Sequence, residues 1–471
     1  MPSPEQIQFR IQPSGESLPV NALHQRPQYG RELLTRGNAG VRDFGLYISY
    51  TLPMASDVHP REMRINGDRL MDRLMALAGI GEIPGGGCAR LALTDDDREG
   101  RDLVVSWMHD LGLEVTVDVL GNVVGTWNVG TGDPVMTGSH IDTVRTGGKY
   151  DGNYGVLAGL EVIQTVQESG WTPPRPLAVA FFTNEEGARF APDMMGSLGY
   201  VGGLPVEEIL GTVGIDGARV GEELLRIGYS GAVPCPRSAP HAFVELHIEQ
   251  GPVLEQKSTR IGVVTGVQGI SWQELTLTGQ SNHAGTTPMG LRHDPAYGAA
   301  RVAVFMRGMA NRIGGHQVCT VGKIDLHPNL INVVPATATL TLDVRNTDES
   351  ILRSAEAELA AFITSVADEE GLVATTRPLA RFEPVDFDPA VIGVVERTAA
   401  EHGLSHMRMP SGAGHDAQML ARVCPTAMIF VPSHKGISHN PAEHTERDDL
   451  VAGCDVLLHV LLELTSRESL T

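Results

Sequence analysis

Four apolar runs in this chain each stop at a polar cluster: PVMTGSHID near 134 to 142, LAVAFFTNEEG at 177 to 187, AFVELHIEQG at 242 to 251, and TAMIFVPSHKGISHN at 426 to 440. Short, unbroken apolar runs bounded by turn signals read as strands buried on both faces. Helical candidates such as Val156 to Glu168 lie between them, so strands alternate with helices as in a layered α/β domain. Ligands of such domains collect beyond the carboxyl ends of the strands, which is where the polar clusters fall.

The flanking segments have other textures. Residues 1 to 62 are punctuated by Pro2, Pro4, Pro13, Pro19, Pro27, Pro53 and Pro60 and hold no sustained helical or strand period. They are expected to be a poorly ordered extension, or upstream sequence ahead of a start at Met54 or Met63. Regular patterning begins at Arg64. A capping-box-like start at Thr94 to Asp97 leads into a helix with Leu103, Val104, Trp107, Met108 and Leu111 on one face, and the LEVTVDV and VVGTW strands follow as a hairpin. From 262 to 376 a long strand-like stretch (GVVTGVQGISWQELTLTG), a helix around Ala296 to Arg312, a strand pair near 317 to 345 and a helix from Asp348 to Glu370 read as an α+β insert. Apolar strand and helix character resumes from 391. The expected plan is a discontinuous catalytic domain, 63–261 and 377–471, interrupted by a lid or dimerisation domain at 262–376.

Charge narrows the partners: 36 Lys+Arg against 57 Asp+Glu give −21, a surface that repels nucleic acid and anionic lipid. Small molecules or a second copy of the chain fit better. Five cysteines without CxxC spacing point to neither a disulfide framework nor a cysteine zinc site. No apolar run reaches the roughly 18 residues of a membrane span, and MPSPEQIQFR lacks the basic end and apolar stretch of a secretory signal. A soluble cytoplasmic protein is expected.

As residue types, the strand ends supply His140, Asp142, Asp151, Glu185, Glu186, His247, Glu249 and His439. Imidazole and carboxylate without cysteine suit zinc, manganese or cobalt, in a catalytic rather than a structural site. A carboxylate shared between two ions would hold them about 3.5 to 4 Å apart, with a water to activate between them. Taken singly, a strand-end histidine is more often structural and an EE dipeptide more often a solvated surface. Glu185 and Glu186, however, follow the uncharged run LAVAFFTN, which sets them at the edge of a core, where a carboxylate needs a cation or a proton.

In order, GSHIDTV, YDGNYGVLAGLE, FTNEEGARF, LHIEQGPVLE, SNHAGTTPM, NVVP, DVR, SGAGHDA and SHNPAE resemble the amidase, hydantoinase and carbamoylase branch of the M20 metallohydrolases. That branch holds N-carbamoyl-L-amino-acid hydrolases, β-ureidopropionases and allantoate amidohydrolases. The resemblance spans about 64 to 467 and leaves 1 to 62 untouched. It implies an α/β fold: a discontinuous di-metal catalytic domain with a central sheet flanked by helices, plus an inserted α+β lid and dimerisation domain.

Residue by residue, the resemblance implies two divalent ions, zinc first and manganese or cobalt as alternatives. His140, Asp151 and His247 hold one ion, Asp151 bridges, and Glu186 and His439 hold the second. Glu185 is then the general base, and Asp142 takes the other imidazole proton of His140 and fixes its tautomer. His247 stands where the peptidase branch usually has a carboxylate. Gln250 resembles the amide that meets the substrate's ureido group; a glutamine bonded to its own backbone is the plainer alternative. In the insert, Arg345 would grip the substrate carboxylate in a bidentate fork, Asn332 would orient the same end, and His283 would donate to the tetrahedral oxyanion. In this family lid residues can reach the neighbouring subunit's site, so a homodimer is expected. His415 and Asp416, in the loop 412 to 416, either line the pocket or brace the loop.

The implied reaction is hydrolysis of the carbamoyl C–N bond of N-carbamoyl-L-amino acids or N-carbamoyl-β-alanine, releasing amino acid, ammonia and carbon dioxide. Allantoate is the closest alternative substrate. A peptidase or aminoacylase is disfavoured by His247, and a non-catalytic metal-binding protein by the intact Glu185.

Overall fold

The computed structural model describes residues 60–469. The extension expected over 1–62 therefore lies outside the described residues, apart from a 3-10 turn at Pro60–Glu62. The four apolar runs form β1 (Val135–His140), β2 (Leu177–Phe182), β3 (Ala242–Ile248) and, beyond two strands of a second sheet (β4, Gly269–Thr278; β5, Thr337–Asn346), β6 (Thr426–Val431).

These four strands are neighbours in a nine-stranded sheet, in the order β6-β3-β1-β2. They run parallel, so their carboxyl ends share one edge. Every residue in them is buried, as parallel strands covered on both faces require. Antiparallel strands flank them: Val123–Trp127 beyond β2, Glu114–Val117 next to it, and Ile261–Val267 beside β6.

Helix α1 (Asp95–Asp110) begins at Thr94, whose hydroxyl takes the N–H of Asp97 at 3.3 Å. Helix α2 (Asn153–Ser169) packs on β1, β2 and β3 and is buried along nearly its whole length. The short helix Asp416–Leu420 packs on β1, β3 and β6.

The second sheet runs Val318–His327, β5, β4, Val373–Phe382 and is antiparallel throughout. Helices α3 (Pro295–Ile313) and α4 (Glu349–Glu370) cover one face, and Val302, Met306, Leu352 and Leu359 meet Leu275, Leu340 and Leu342 in a core of their own. Burial alternates along β5, as expected for a sheet packed on one side.

The expected insert edges, 262 and 376, do not coincide with the changes of sheet: Val373–Phe382 stays in the small sheet throughout, so the return comes after 382. The run GVVTGVQGISWQELTLTG is not a single strand: it divides at Gln268, with Ile261–Val267 in the large sheet and β4 in the small one. Gly269 lies against Pro384, where a Cβ would come within 2.6 Å of the ring. The two crossings between the sheets are therefore side by side, and Val385–Asp386 pairs with Gly266–Val267.

Arg90 ties the site-bearing turns to this frame. It is fully buried; its Nε donates to the carbonyl of Ile141 at 2.8 Å, its Nη1 to those of Leu77 and Ile80 at 2.9 and 2.8 Å, and its Nη2 to Asn153 Oδ1 at 2.7 Å. Arg90→Met would leave those acceptors buried without donors, so urea unfolding should show a loss of about 3 kcal/mol or more. A loss below about 1 kcal/mol would refute this role.

Candidate metal centre

Adjacent parallel strands deliver the first donors: His140 is the last residue of β1 and His247 the sixth residue of β3. Asp151 comes from the turn entering α2, Glu185 and Glu186 from the loop after β2, and His439 from the loop after β6. Gly152 makes the Asp151 turn possible. Its φ is +65°, and a Cβ there would come within 2.4 Å of the His140 ring.

The two oxygens of Asp151 face different partners. Oδ1 lies 3.6 Å from His140 Nε2 and 3.2 Å from His247 Nε2. Oδ2 lies 3.5 Å from His439 Nε2, which is itself 3.2 Å from Glu186 Oε2. Two three-donor groups thus share one carboxylate: His140, Asp151, His247 and Asp151, Glu186, His439. Glu185 Oε2 stands 3.4 Å from His140 Nε2. The sequence expectations for these six residues converge on one place.

The tautomers are arranged for ligation. The Nδ1–H of His140 donates to the carbonyl of Asp142 at 2.9 Å and that of His247 to the carbonyl of Ile248 at 2.8 Å, which leaves each Nε2 as the other ring nitrogen: that of His140 faces Asp151 and Glu185, and that of His247 faces Asp151 while accepting the N–H of Gly152 at 3.1 Å. Here Asp142 corrects its expected role: its carbonyl, not its carboxylate, takes the imidazole proton. Two residues past His140, the chain folds that carbonyl under the ring. The carboxylate instead reaches the next strand's loop and accepts the N–H groups of Glu185 (3.2 Å) and Glu186 (3.4 Å).

Electrostatics fit a cation. Burial pushes the Glu185 carboxyl well above the usual range, against the pull of His140 and with Asp416 and Glu186 adding to the rise. Burial alone would lower His140, but Glu185, Asp151, Asp142 and Glu186 raise it well above its ordinary value. The hydrogen bond to Glu186 raises His439 to about 9. The imidazoles thus draw protons to answer crowded carboxylates, the service a divalent ion would perform. Glu186 Oε1 is also buried with no protein partner. The chemistry of this donor set, mixed imidazole and carboxylate around a shared Asp151, fits divalent metal.

The other predicted residues divide. Gln250 lies beside the donors, its Nε2 donating to Asp151 Oδ2 at 2.8 Å while its Oε1 is buried without a partner; it is not bonded to its own backbone. Arg345 faces the same cavity of about 150 Å³. Its Nε and Nη2 grip Asp343 at 2.9 to 3.1 Å, Nη1 donates to the carbonyl of Gly412 at 2.8 Å, and the guanidinium carbon sits 5.5 Å from the Trp272 ring centroid. His283 and Asn332 are exposed and do not line that cavity. They lie together in the insert, where Asn282–His283 pairs with Val333–Val334 and His283 Nδ1 accepts the N–H groups of Gly285 and Thr286. Glu249 caps the helix Val253–Lys257 through its carboxylate and is drawn away from the donors. His415 lines the cavity, packs edge-on to His247 at 4.6 Å and meets Ser411 Oγ at 3.0 Å, whereas Asp416 is buried at the start of its short helix.

Sequence reasoning named SHNPAE as a motif but gave no role to two of its members. Ser438 Oγ lies 2.9 Å from Asp151 Oδ2 and 3.0 Å from Glu443 Oε2, and Glu443 Oε1 accepts the N–H groups of Tyr150 and Asp151 at 3.0 and 3.2 Å. Only the motif's proximity to His439 hinted at them.

Residues 136–463 match the model of Peptidase family M20/M25/M40. The chain is 41% identical over 403 residues to the N-carbamoyl-L-amino-acid amidohydrolase of Rhizobium meliloti, an alignment covering 85% of this chain and 97% of that one. It is 37% identical over 393 residues to the allantoate amidohydrolase of Escherichia coli K12, covering 82% and 95%. A solved hydantoinase/carbamoylase family amidase from Burkholderia multivorans superposes with a TM-score of 0.82 at 44% identity, covering 86% of this chain and 99% of its own. With the family match running from β1 into the last helix, and relatives aligned over more than four fifths of its length, the chain belongs to the M20/M25/M40 peptidase family, in its amidase, hydantoinase and carbamoylase branch.

Proposed function

We propose that this chain hydrolyses the carbamoyl C–N bond of ureido acids, N-carbamoyl-L-amino acids first, to the amino acid, ammonia and carbon dioxide. The observation that carries this is the pair of donor groups sharing Asp151 in a cavity that also holds Glu185 and Arg345. It needs an electrophile at one end and a carboxylate at the other. The similarity to an N-carbamoyl-L-amino-acid amidohydrolase supports the same reading.

Two divalent ions are the cofactors, zinc first and manganese or cobalt as alternatives, held by His140, Asp151 and His247 and by Asp151, Glu186 and His439. When bound they supply Lewis acidity for the carbamoyl oxygen and a lowered pKa for water. Glu185 takes the proton of the attacking water and returns it to the departing nitrogen. The N-carboxylate left after ammonia departs loses carbon dioxide. Gln250, with a free carbonyl oxygen, accepts from the ureido N–H. Arg345 has the N–H groups of Nη1 and Nη2 that remain beyond those taken by Gly412 and Asp343 to offer the substrate carboxylate.

His283 and Asn332 act from a second copy. Their place outside their own chain's cavity supports a homodimer, as do the exposed Tyr297 and Val304 of α3 and the edge strand Val318–His327, with Val318 and Ile324 exposed. No helix among the described residues is long and apolar enough to cross a membrane, and all five cysteines are free, which supports the cytoplasm as the compartment. The lid role of the second sheet belongs to this reading.

Ammonia release from N-carbamoyl-L-amino acids, N-carbamoyl-β-alanine and allantoate, before and after chelation and re-addition of zinc, manganese or cobalt, tests the whole. Chelation should abolish release and an added ion restore it; activity unaffected by chelation would overturn the metal reading. Glu185→Gln should retain bound metal but lose about 10²- to 10⁴-fold in kcat, and near-normal turnover would mean that the base is another group. Arg345→Lys should lose roughly ten- to a hundredfold in kcat/KM on the acid substrate and far less on its amide. An equal penalty on both would remove Arg345 from the carboxylate.

A further inference from the structure

We propose that Asp193 selects the substituent on the substrate's α-carbon: the cavity takes ureido acids whose substituent carries N–H donors and turns away acidic ones. This rests on the ureido acid reading above and specifies its substrate class.

Asp193 is fixed to the same turn that carries Glu185 and Glu186. Asn184, at φ +56°, donates from Nδ2 to the carbonyls of Phe190 (2.8 Å) and Pro192 (3.2 Å). The returning leg then bonds back to the outgoing one, with Met194 N–H on the carbonyl of Glu185 at 2.7 Å, Met195 on Asn184 at 3.2 Å and Gly196 on Thr183 at 2.8 Å. Gly187 lets the legs close, since a Cβ there would meet Asp193 Cα and Cβ at 2.9 Å. The backbone that carries Asp193 is pinned in this way at the wall of the cavity its side chain lines.

Its position between two assigned groups defines what it reads. Asp193 lines the cavity together with Glu186 and Arg345, and those are the two charges it feels: burial raises its carboxyl to about 6, Arg345 pulls it down, and Glu186 adds to the rise. Arg345 has another carboxylate as its ion-pair partner, Asp343 at 2.9 Å. The reacting ureido carbon belongs at the Glu185 and Glu186 end and the substrate carboxylate at Arg345. Between those ends lie the α-carbon and its substituent, facing Asp193.

An acceptor held there discriminates by what it is left with. An apolar substituent would strip water from the carboxylate and give nothing back, which is costly. An acidic one would add repulsion. A substituent with N–H groups, whether an ammonium or a second, neutral ureido group, would satisfy it. Trp272 and Ile270, on the same cavity wall, suit the apolar stem of such a group.

The test compares kcat/KM for the native chain, Asp193→Asn and Asp193→Ala on four substrates: Nα-carbamoyl-L-lysine, allantoate, N-carbamoyl-L-leucine and N-carbamoyl-L-glutamate. Ratios between substrates within one enzyme are independent of how much of that enzyme is folded. The native chain should prefer lysine or allantoate over leucine by about tenfold or more, with glutamate last. Asp193→Ala should collapse that preference by a similar factor and raise glutamate relative to leucine. Loss of the lysine preference alone in Asp193→Asn would identify the cation as the preferred donor, and loss of both the charge. A native preference for leucine, or an equal change on all four substrates, would overturn the proposal. Ammonia from none of the four with the native, metal-loaded chain would instead overturn the ureido acid reading, and this proposal with it.

Discussion

The two oxygens of Asp151 face different partners, one His140 and His247 and the other His439, from a position that is almost completely buried. Burying a carboxylate is expensive unless every lone pair has a partner, and the surrounding chain is organised to provide them. The turn that presents Asp151 is held from behind by Glu443, which receives two of its N–H groups. Ser438 and Gln250 donate from the side. Even the parallel order of β1 and β3 serves this one group, because it brings two imidazoles to the same edge at neighbouring positions.

Behind those imidazoles lies a second layer of buried acid. Glu245 accepts from Ser139 Oγ at 2.6 Å and from the N–H of Ala417 at 2.8 Å, and burial together with Glu245 lifts Asp416 well above the carboxylate range. Burial and the neighbouring His247 push His415 far down. Polar groups in such number inside one core make it sensitive to volume and charge together. The region tolerates them because helix starts and strand ends, which carry unsatisfied backbone donors, converge there.

Much of this was legible from residue order alone. The strands β1, β2, β3 and β6 announce themselves as unbroken apolar runs, and His140, Glu185, Glu186, His247 and His439, at or after the ends of those runs, meet in space, whereas Glu249 turns away to cap a helix. What escaped was whatever depends on which of two atoms in a residue is used, or on how two strands lie. Nothing in GSHIDTV says that the carbonyl of Asp142 faces His140 while its carboxylate crosses to Glu185. Nor does the period of 262 to 279 reveal a change of sheet at Gln268, because both halves alternate as strands do. His283 and Asn332, expected at the oxyanion and at the carboxylate of the substrate, sit on paired segments outside the cavity, and a single chain's residue pattern carries no information on whether a second copy is involved.

The double crossing between the sheets has a mechanical side. Arg345 and Trp272 ride on the small sheet, while Asp151, Glu185 and Asp193 belong to the large one. The chain passes between them at Gln268–Gly269 and again next to Pro384, and these passages are bonded to one another. Two linkers that run together confine the covalent link between the cores to one narrow place, while each core packs within its own sheet and helices. The Nη1 bond from Arg345 to Gly412 is a separate tie between the two sheets on the cavity side. A ligand that touches both Glu185 and Arg345 would thus be held by two separately packed cores at once, and its length matched against the spacing those few ties set.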